Sequence, residues 1–307
     1  MTSGFCSLPA AVEAAAKMSD VEPIERTRVV TREGETETER EDALAVEEPL
    51  EIRIRPPNRA AATSFVTTMR TPGNDEELAA GLLFAEGVLQ SRGDLLGLER
   101  PVDPRIAPEL RANVMIAVLS PEAQGRGEKL ERGTVMGSAC GVCGKTSIEN
   151  VIPSDARPLV SSLRIHPDVL FALPGSLREG QSVFSRTGGL HAAGRFDAAG
   201  GGRVLREDIG RHNATDKLVG YFLLRDELPL ADSVLMVSGR AGFEIVQKAY
   251  AAGIPVMASV SAPSSLAVEL ADAAGLTLVG FLREKRYNVY THPERISTTA
   301  RGSPTST

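Results

Sequence analysis

Cysteine is scarce in this chain of 307 residues, which has three: Cys6, Cys140 and Cys143. So small and odd a number excludes a disulfide framework, and thiols kept reduced point to the cytoplasm. Histidine is scarce as well. His166, His191, His212 and His292 form no H-x(3–5)-H pair, so a closed zinc site is short of ligands. Positive charge is not in excess: 34 Lys and Arg against 40 Asp and Glu leave a net charge of −6. That balance argues against nucleic acid or a membrane surface as a bulk partner and leaves room only for a local basic patch. Long apolar runs are missing too. Residues 249–268 carry no charge, but Gly253, Pro255 and Pro263 break them into strand, turn and helix rather than a membrane span. Residues 1–20 have no basic segment followed by an apolar core, so no secretory leader is read there.

What is present is ordinary globular composition, 42% hydrophobic and 24% charged, at a length that suggests two domains. The chain centres on Ser138-Ala139-Cys140-Gly141-Val142-Cys143-Gly144-Lys145-Thr146-Ser147. Only a thiolate attacks disulfides, accepts sulfane sulfur or binds a soft metal, and a free thiol with a pKa of ~8.5 is mostly protonated at neutral pH. Residues 132–136 read as a short strand and 144–149 as the start of a helix. Cysteines placed there meet unpaired N–H groups and the positive end of the helix dipole. Lys145 adds charge, while Gly141 and Gly144 permit a sharp turn and a close partner. Four chemistries fit: half of a structural zinc site, a thioredoxin-like redox pair, a P-loop that departs from G-x-x-x-x-G-K-[ST] at Ala139, and a cysteine that carries sulfur as a persulfide.

Along the chain, residues 1–41 read as a poorly ordered arm ending in a solvated acidic run. Residues 42–133 read as a small α+β domain, with alternating strands at 44–54, a strand at 60–69, a helix at 78–89 behind Asn74 and a strand at 108–120. Past the cysteines, Pro167 opens a helix with His166 as a cap or surface residue, and 182–184 and 189–196 read as strands. Asp208, His212 and Asp216 recur at i, i+4 and i+8, one face of a helix that is either exposed and charged or functional. Two strand–turn–helix units, 233–252 and 255–274, indicate a parallel sheet covered on both faces. Ligands gather at the carboxyl ends of such strands. Ser238, Gly239 and Arg240, with Ser264 and Ser265, therefore form a candidate phosphate cradle, or else serve only as caps. A last strand, 276–281, leads into Arg283, Lys285 and Arg286, a cluster suited to a polyanion. Residues 298–307 read as a disordered tail.

Seven stretches in order resemble the FdhD/NarQ family, sulfur carriers required for formate dehydrogenase activity. They are residues 46–50, 69–78, 138–145, 187–191, 206–217, 243–249 and 261–267, and the resemblance spans about residues 44–296. It implies an α/β protein in which residues 134–297 form a cytidine-deaminase-like three-layer α/β/α domain, and a homodimer. The resemblance further implies that sulfane sulfur from a cysteine desulfurase is passed to the molybdenum of a bis(molybdopterin guanine dinucleotide) cofactor before formate dehydrogenase receives it. That cofactor is a sulfuration substrate, and no permanent cofactor is expected. Cys140 would hold the persulfide with Cys143 in support, and the cofactor's guanine-nucleotide moiety would meet Phe281, Leu282, Arg283, Glu284, Lys285 and Arg286. The chain departs from the family pattern at Glu284, where a glycine is expected. Two other classes stay open. One is a zinc deaminase, whose H-x-E occurs here as His292-Pro293-Glu294, though after the cysteines. The other is a cofactor chaperone with no sulfur chemistry.

Overall fold

The computed structural model describes residues 22–102, 107–131 and 157–297. The cysteine turn, the strand and helix read on either side of it, Cys6 and the tail lie outside the described residues.

Strands β1 (Ile24–Glu33) and β2 (Thr36–Ala45) form an antiparallel hairpin around Gly34, whose φ of 62° suits a two-residue turn. The sequence reading of an unstructured arm through residue 41 fails for this segment. Its Thr, Val and Arg content favours strand, but both faces are polar, so no apolar alternation marks it.

The first unit is a four-stranded sheet in the order β4-β3-β6-β5, made of β3 (Glu48–Arg55), β4 (Thr63–Arg70), β5 (Leu95–Glu99) and β6 (Val114–Leu119). Only β3 and β6 run parallel. Alternation sends Leu50, Ile52 and Ile54 inward, all fully buried. Helices α1 (Asp75–Ala85), α2 (Pro108–Ala112) and α3 (Pro121–Glu131) complete it. Residues 108–112, read as strand, are the short α2, opened by a proline at its first turn.

The second unit contains α4 (Pro167–Glu179), α5 (Ser182–Thr187), β7 (His191–Phe196), β8 (Val204–Asp208) and α6 (Arg211–Leu224). It continues through β9 (Val234–Val237), α7 (Phe243–Ala251), β10 (Val256–Ser259), α8 (Ser265–Ala273), β11 (Thr277–Arg283) and β12 (Arg286–Thr291). The six strands lie in the order β12-β11-β10-β9-β7-β8, with β9, β10 and β11 parallel and the outer ones antiparallel. Helices cover both faces. Leu235, Val237, Met257 and Leu278 pack with α6, α7 and α8, whereas Val234, Met236, Val256 and Val279 pack with Leu170, Leu173 and Leu177 of α4. His166 caps α4, its Nδ1 accepting from Asp168 N–H at 3.2 Å. Residues 182–184, read as strand, instead open α5, because the Glu207 carboxylate accepts the N–H groups of Val183 and Phe184 at 3.1 and 2.8 Å.

The units meet through α1 and α6, which touch backbone to backbone. A Cβ at Gly81 would lie 1.9 Å from Asp216 O, and one at Gly220 would lie 1.9 Å from Glu77 O. Two glycines thus set the crossing distance. Among the described residues, no helix is long and apolar enough to cross a membrane.

Candidate functional site

The carboxyl ends of β9, β10 and β11 form one edge, where the sequence placed its cradle. Ser238 ties β9 to β7: its Oγ accepts Ala192 N–H at 2.8 Å and its own N–H donates to Ala192 O at 2.9 Å. Gly239 is buried, and its carbonyl accepts the Ser259 hydroxyl at 2.7 Å. Arg240 is exposed. Ser264 caps α8, accepting from Ala267 N–H at 3.3 Å. The tips of β9 and β10 are joined by Ala241 N–H to Ala262 O and Ser264 N–H to Ala241 O, each 3.2 Å. Ser238 and Ser264 thus act as caps and ties through their oxygens, because short hydroxyls beside a free backbone N–H accept from it, and their O–H groups keep the capacity to donate.

The segment that the family resemblance assigns to the cofactor is the β11–β12 hairpin. Phe281 sits at a bulge with φ of 51°, its N–H donating to Ser261 O at 3.0 Å. Leu282 points the other way and is wholly buried beside α4, so its side chain is core and only its backbone can meet a ligand. Arg283 donates to Val260 O and Leu282 O, which lashes the hairpin to the β10 tip. Glu284 and Lys285 form the turn, closed by Arg283 opposite Arg286, and all four are exposed. Among the described residues the non-glycine positions at positive φ are Asn74, Asp226, Phe281 and His292, so Glu284 stands where no glycine is needed for backbone reasons.

On the β7–β8 side, the expected single helical face divides between two elements. Asp208 ends β8, while His212 and Asp216 lie on α6. The face is buried, not solvated. Asp208 is fully buried and meets Lys217 Nζ at 2.7 Å, Gly210 N–H at 2.9 Å and Thr71 N–H at 3.2 Å. Asn213 donates to Met69 O at 2.7 Å, and Arg206 pairs through both arms with Glu77. These residues join the units. Beyond them, two rungs link α6 to α7: His212 Nε2 to Glu244 at 2.8 Å, and Asp216 to Lys248 at 2.6 Å. Burial pushes the Asp216 carboxyl above its ordinary range, with Lys248 and His212 pulling the other way. His191 opens β7 on the same edge. Burial first, then the charges of Arg211 and His212, hold its imidazole below the usual value, opposed by Asp208.

His292 and Glu294 occupy the opposite edge. Thr291 pairs with Leu278 at the start of β11, His292 Nδ1 lies 3.3 Å from Glu294, and Nε2 lies 2.9 Å from Asp272 O. The H-x-E is thus remote from the carboxyl ends, and no cluster of three metal-binding side chains occurs among the described residues. A cavity of about 610 Å³ opens at the junction of the units between Thr71, Asn74, Ser182, Arg206 and Lys217. Sequence reasoning missed it, since it is made of residues far apart in the chain. It also missed His191 and Arg211, although Arg211 starts a helix with only two residues between it and the end of a strand, which is where anions are held.

A mixed sheet covered by helices on both faces, with loops and cations gathered at its carboxyl edge, defines an α/β protein, and in such folds that edge is where ligands gather. Comparison with known proteins gives the family. The FdhD/NarQ family model matches residues 45–297, and the chain belongs to that family. It is 49% identical over 262 residues to the sulfur carrier protein FdhD of Mycobacterium tuberculosis, covering 84% of this chain and 93% of the relative. It is 47% identical over 276 residues to the protein of that name from Streptomyces coelicolor, covering 89% and 95%. A crystal structure of a candidate formate dehydrogenase accessory protein from Desulfotalea psychrophila shares the fold, with a TM-score of 0.68, 24% identity, and coverage of 90% of this chain and all of that one.

Proposed function

We propose that this chain is a sulfur carrier. It accepts sulfane sulfur from a cysteine desulfurase as a persulfide on Cys140 and passes it to the molybdenum of a bis(molybdopterin guanine dinucleotide) cofactor bound for formate dehydrogenase. The observation that carries this reading is the family match over residues 45–297, joined to relatives named as sulfur carriers at 47–49% identity. The chemistry balances. A Cys140 thiolate attacks the outer sulfur of the donor persulfide, the donor's S–S bond breaks, and the donor cysteine leaves as a thiolate that takes up the proton Cys140 gave up. Cys143, three residues on, would release the sulfur by attacking Cys140 Sγ: the persulfide S–S bond breaks, the outer sulfur leaves as sulfide for the molybdenum, and the Cys140–Cys143 disulfide so formed is returned to thiols by a dithiol reductant.

The carboxyl edge supports the cofactor half of the reading. Arg283, Lys285 and Arg286 crowd one exposed two-residue turn beside the loops after β9 and β10, a setting suited to nucleotide phosphates. Cytoplasmic location and action as a homodimer belong to the same proposal.

Intact mass after incubation with a cysteine desulfurase and cysteine tests it. The wild type should gain about 32 Da, removed by reductant, and Cys140→Ala should not. An equal gain in both, or none, would leave Cys140 without the carrier role.

A further inference from the structure

The charges at the carboxyl edge do not balance. Lys217 is matched by Asp208, His212 by Glu244 and Lys248 by Asp216. Arg211, Arg240 and His191 are left over. Among the described residues, no hydrogen bond or ion pair reaches either guanidinium or the imidazole, and Arg211 Nε is buried with no partner. A buried donor without an acceptor is costly, and crowding His191 against Arg211 adds to the cost. The same two side chains converge on Gly239. A Cβ there would lie 3.4 Å from His191 Nδ1 and 3.4 Å from Arg211 Cδ, so the imidazole and the Arg211 stem border the niche that a side chain at 239 would fill.

We infer that His191 and Arg211, with the exposed Arg240 next to Gly239 in the chain, form an anion site around Gly239 that takes a phosphoryl oxyanion. Two guanidinium forks and an imidazole offer more donors than a carboxylate's two oxygens accept, whereas a phosphate or pyrophosphate presents enough. Gly210, the cap residue of α6, has no side chain to occupy the N–H groups beside Arg211. Ser238 and Ser264 already accept backbone N–H groups through Oγ, and the charged donors of this site are Arg211, Arg240 and His191. The site deepens the cofactor reading above, because a nucleotide-bearing substrate supplies such an oxyanion, but it requires no sulfur chemistry.

Binding should carry a proton. The groups facing His191 are Asp208 across the β7–β8 pair and Arg211 and His212 on α6; burial first, then Arg211 and His212, hold the imidazole below its ordinary value, and Asp208 pulls the other way. A bound anion reverses that balance. His191 then takes up a proton, and affinity rises as pH falls towards the lowered value of the free imidazole.

Calorimetry of the full chain with inorganic pyrophosphate, at low salt and in two buffers of different ionisation enthalpy, tests the assignment. The wild type should bind with proton uptake. Arg211→Gln should weaken binding about tenfold or more, as loss of a charged hydrogen bond does. His191→Gln should bind less tightly and show no uptake. Gly239→Val, which fills the niche, should lose binding while retaining the wild-type unfolding temperature; should it unfold early, the two Gln variants decide. Absence of binding by wild type, or binding unchanged in both Gln variants, overturns the assignment. So does loss on Lys285→Ala with retention in Arg211→Gln, which would put the anion at the hairpin. Neither result touches the persulfide test on Cys140.

Discussion

Lys217 on α6 and Asp208 at the end of β8 form a 2.7 Å ion pair whose side chains are 2% and 0% exposed. Lys217 also donates to Thr71 O at 2.8 Å, so the pair fastens the loop before α1 to the second unit. Removing one partner leaves the other charge buried and unmatched. Lys217→Met should cost ~3–5 kcal/mol in denaturant unfolding, and the double variant with Asp208→Asn clearly less than the sum of the singles. Additive losses would show that the two side chains act separately.

The contact of α1 with α6 allows no side chain at Gly81 or Gly220. Either Gly→Ala change must push the helices apart and should lower stability by at least the ~1–3 kcal/mol typical of overpacking, despite alanine's better helix propensity. Thermal melts that rise or stay level would mean that the crossing is looser than 1.9 Å implies.

Asp75 is buried, which alone would raise its pKa, but the Arg70 and Arg100 guanidinium groups hold the carboxyl below the usual range. Since the folded value lies below the unfolded one, the carboxylate's stabilisation is present above the unfolded pKa of ~3.9 and is lost as pH falls through the folded value. Asp75→Asn should be less stable than wild type at pH 7, and the gap should narrow in acid. Unfolding free energies at pH 7 and pH 3 measure this.

Leu282 and Lys285 lie three residues apart in the β11–β12 hairpin and should respond in opposite ways. Leu282→Ala opens a cavity in the core and should cost ~2–5 kcal/mol. Lys285→Ala should leave stability within about 0.5 kcal/mol and weaken binding of the guanine-nucleotide cofactor proposed above. Chemical unfolding paired with a binding titration separates the two.

Glu284 places a carboxylate in a cationic turn. Glu284→Gly should tighten nucleotide binding by a factor of about 2–5 at low salt, and added salt should erase the gain.

The parallel core was readable because β9 and β10 are short, wholly buried, apolar but for Ser259 and bounded by turn residues. Asp208, His212 and Asp216 were visible as a pattern but not as what they are. Their spacing suggests one helix, yet the chain turns at Gly210 and puts Asp208 on a strand, where its partners come from residues 71 and 217. Local periodicity cannot report a contact made across more than a hundred residues. The hairpin at residues 24–45 was lost for the opposite reason. Its strand-forming residues are polar on both faces, which looks the same as a solvated tail. Ser238 and Ser264 were rightly placed at strand and helix ends, but whether a hydroxyl serves a ligand or a neighbouring N–H depends on packing that spacing does not reveal.

The glycine-to-glycine crossing also bears on synthesis. Helix α1 is encoded at residues 75–85 and its partner α6 at 211–224, so the ribosome must add roughly 130 residues between them, ~7–30 s of elongation. Through that interval the face of α1 around Gly81 has no partner in place. The leucines of α1 meanwhile pack on the first unit's own sheet, but the Gly81 face stays bare until α6 emerges, and slowed translation of the intervening stretch should cut soluble yield.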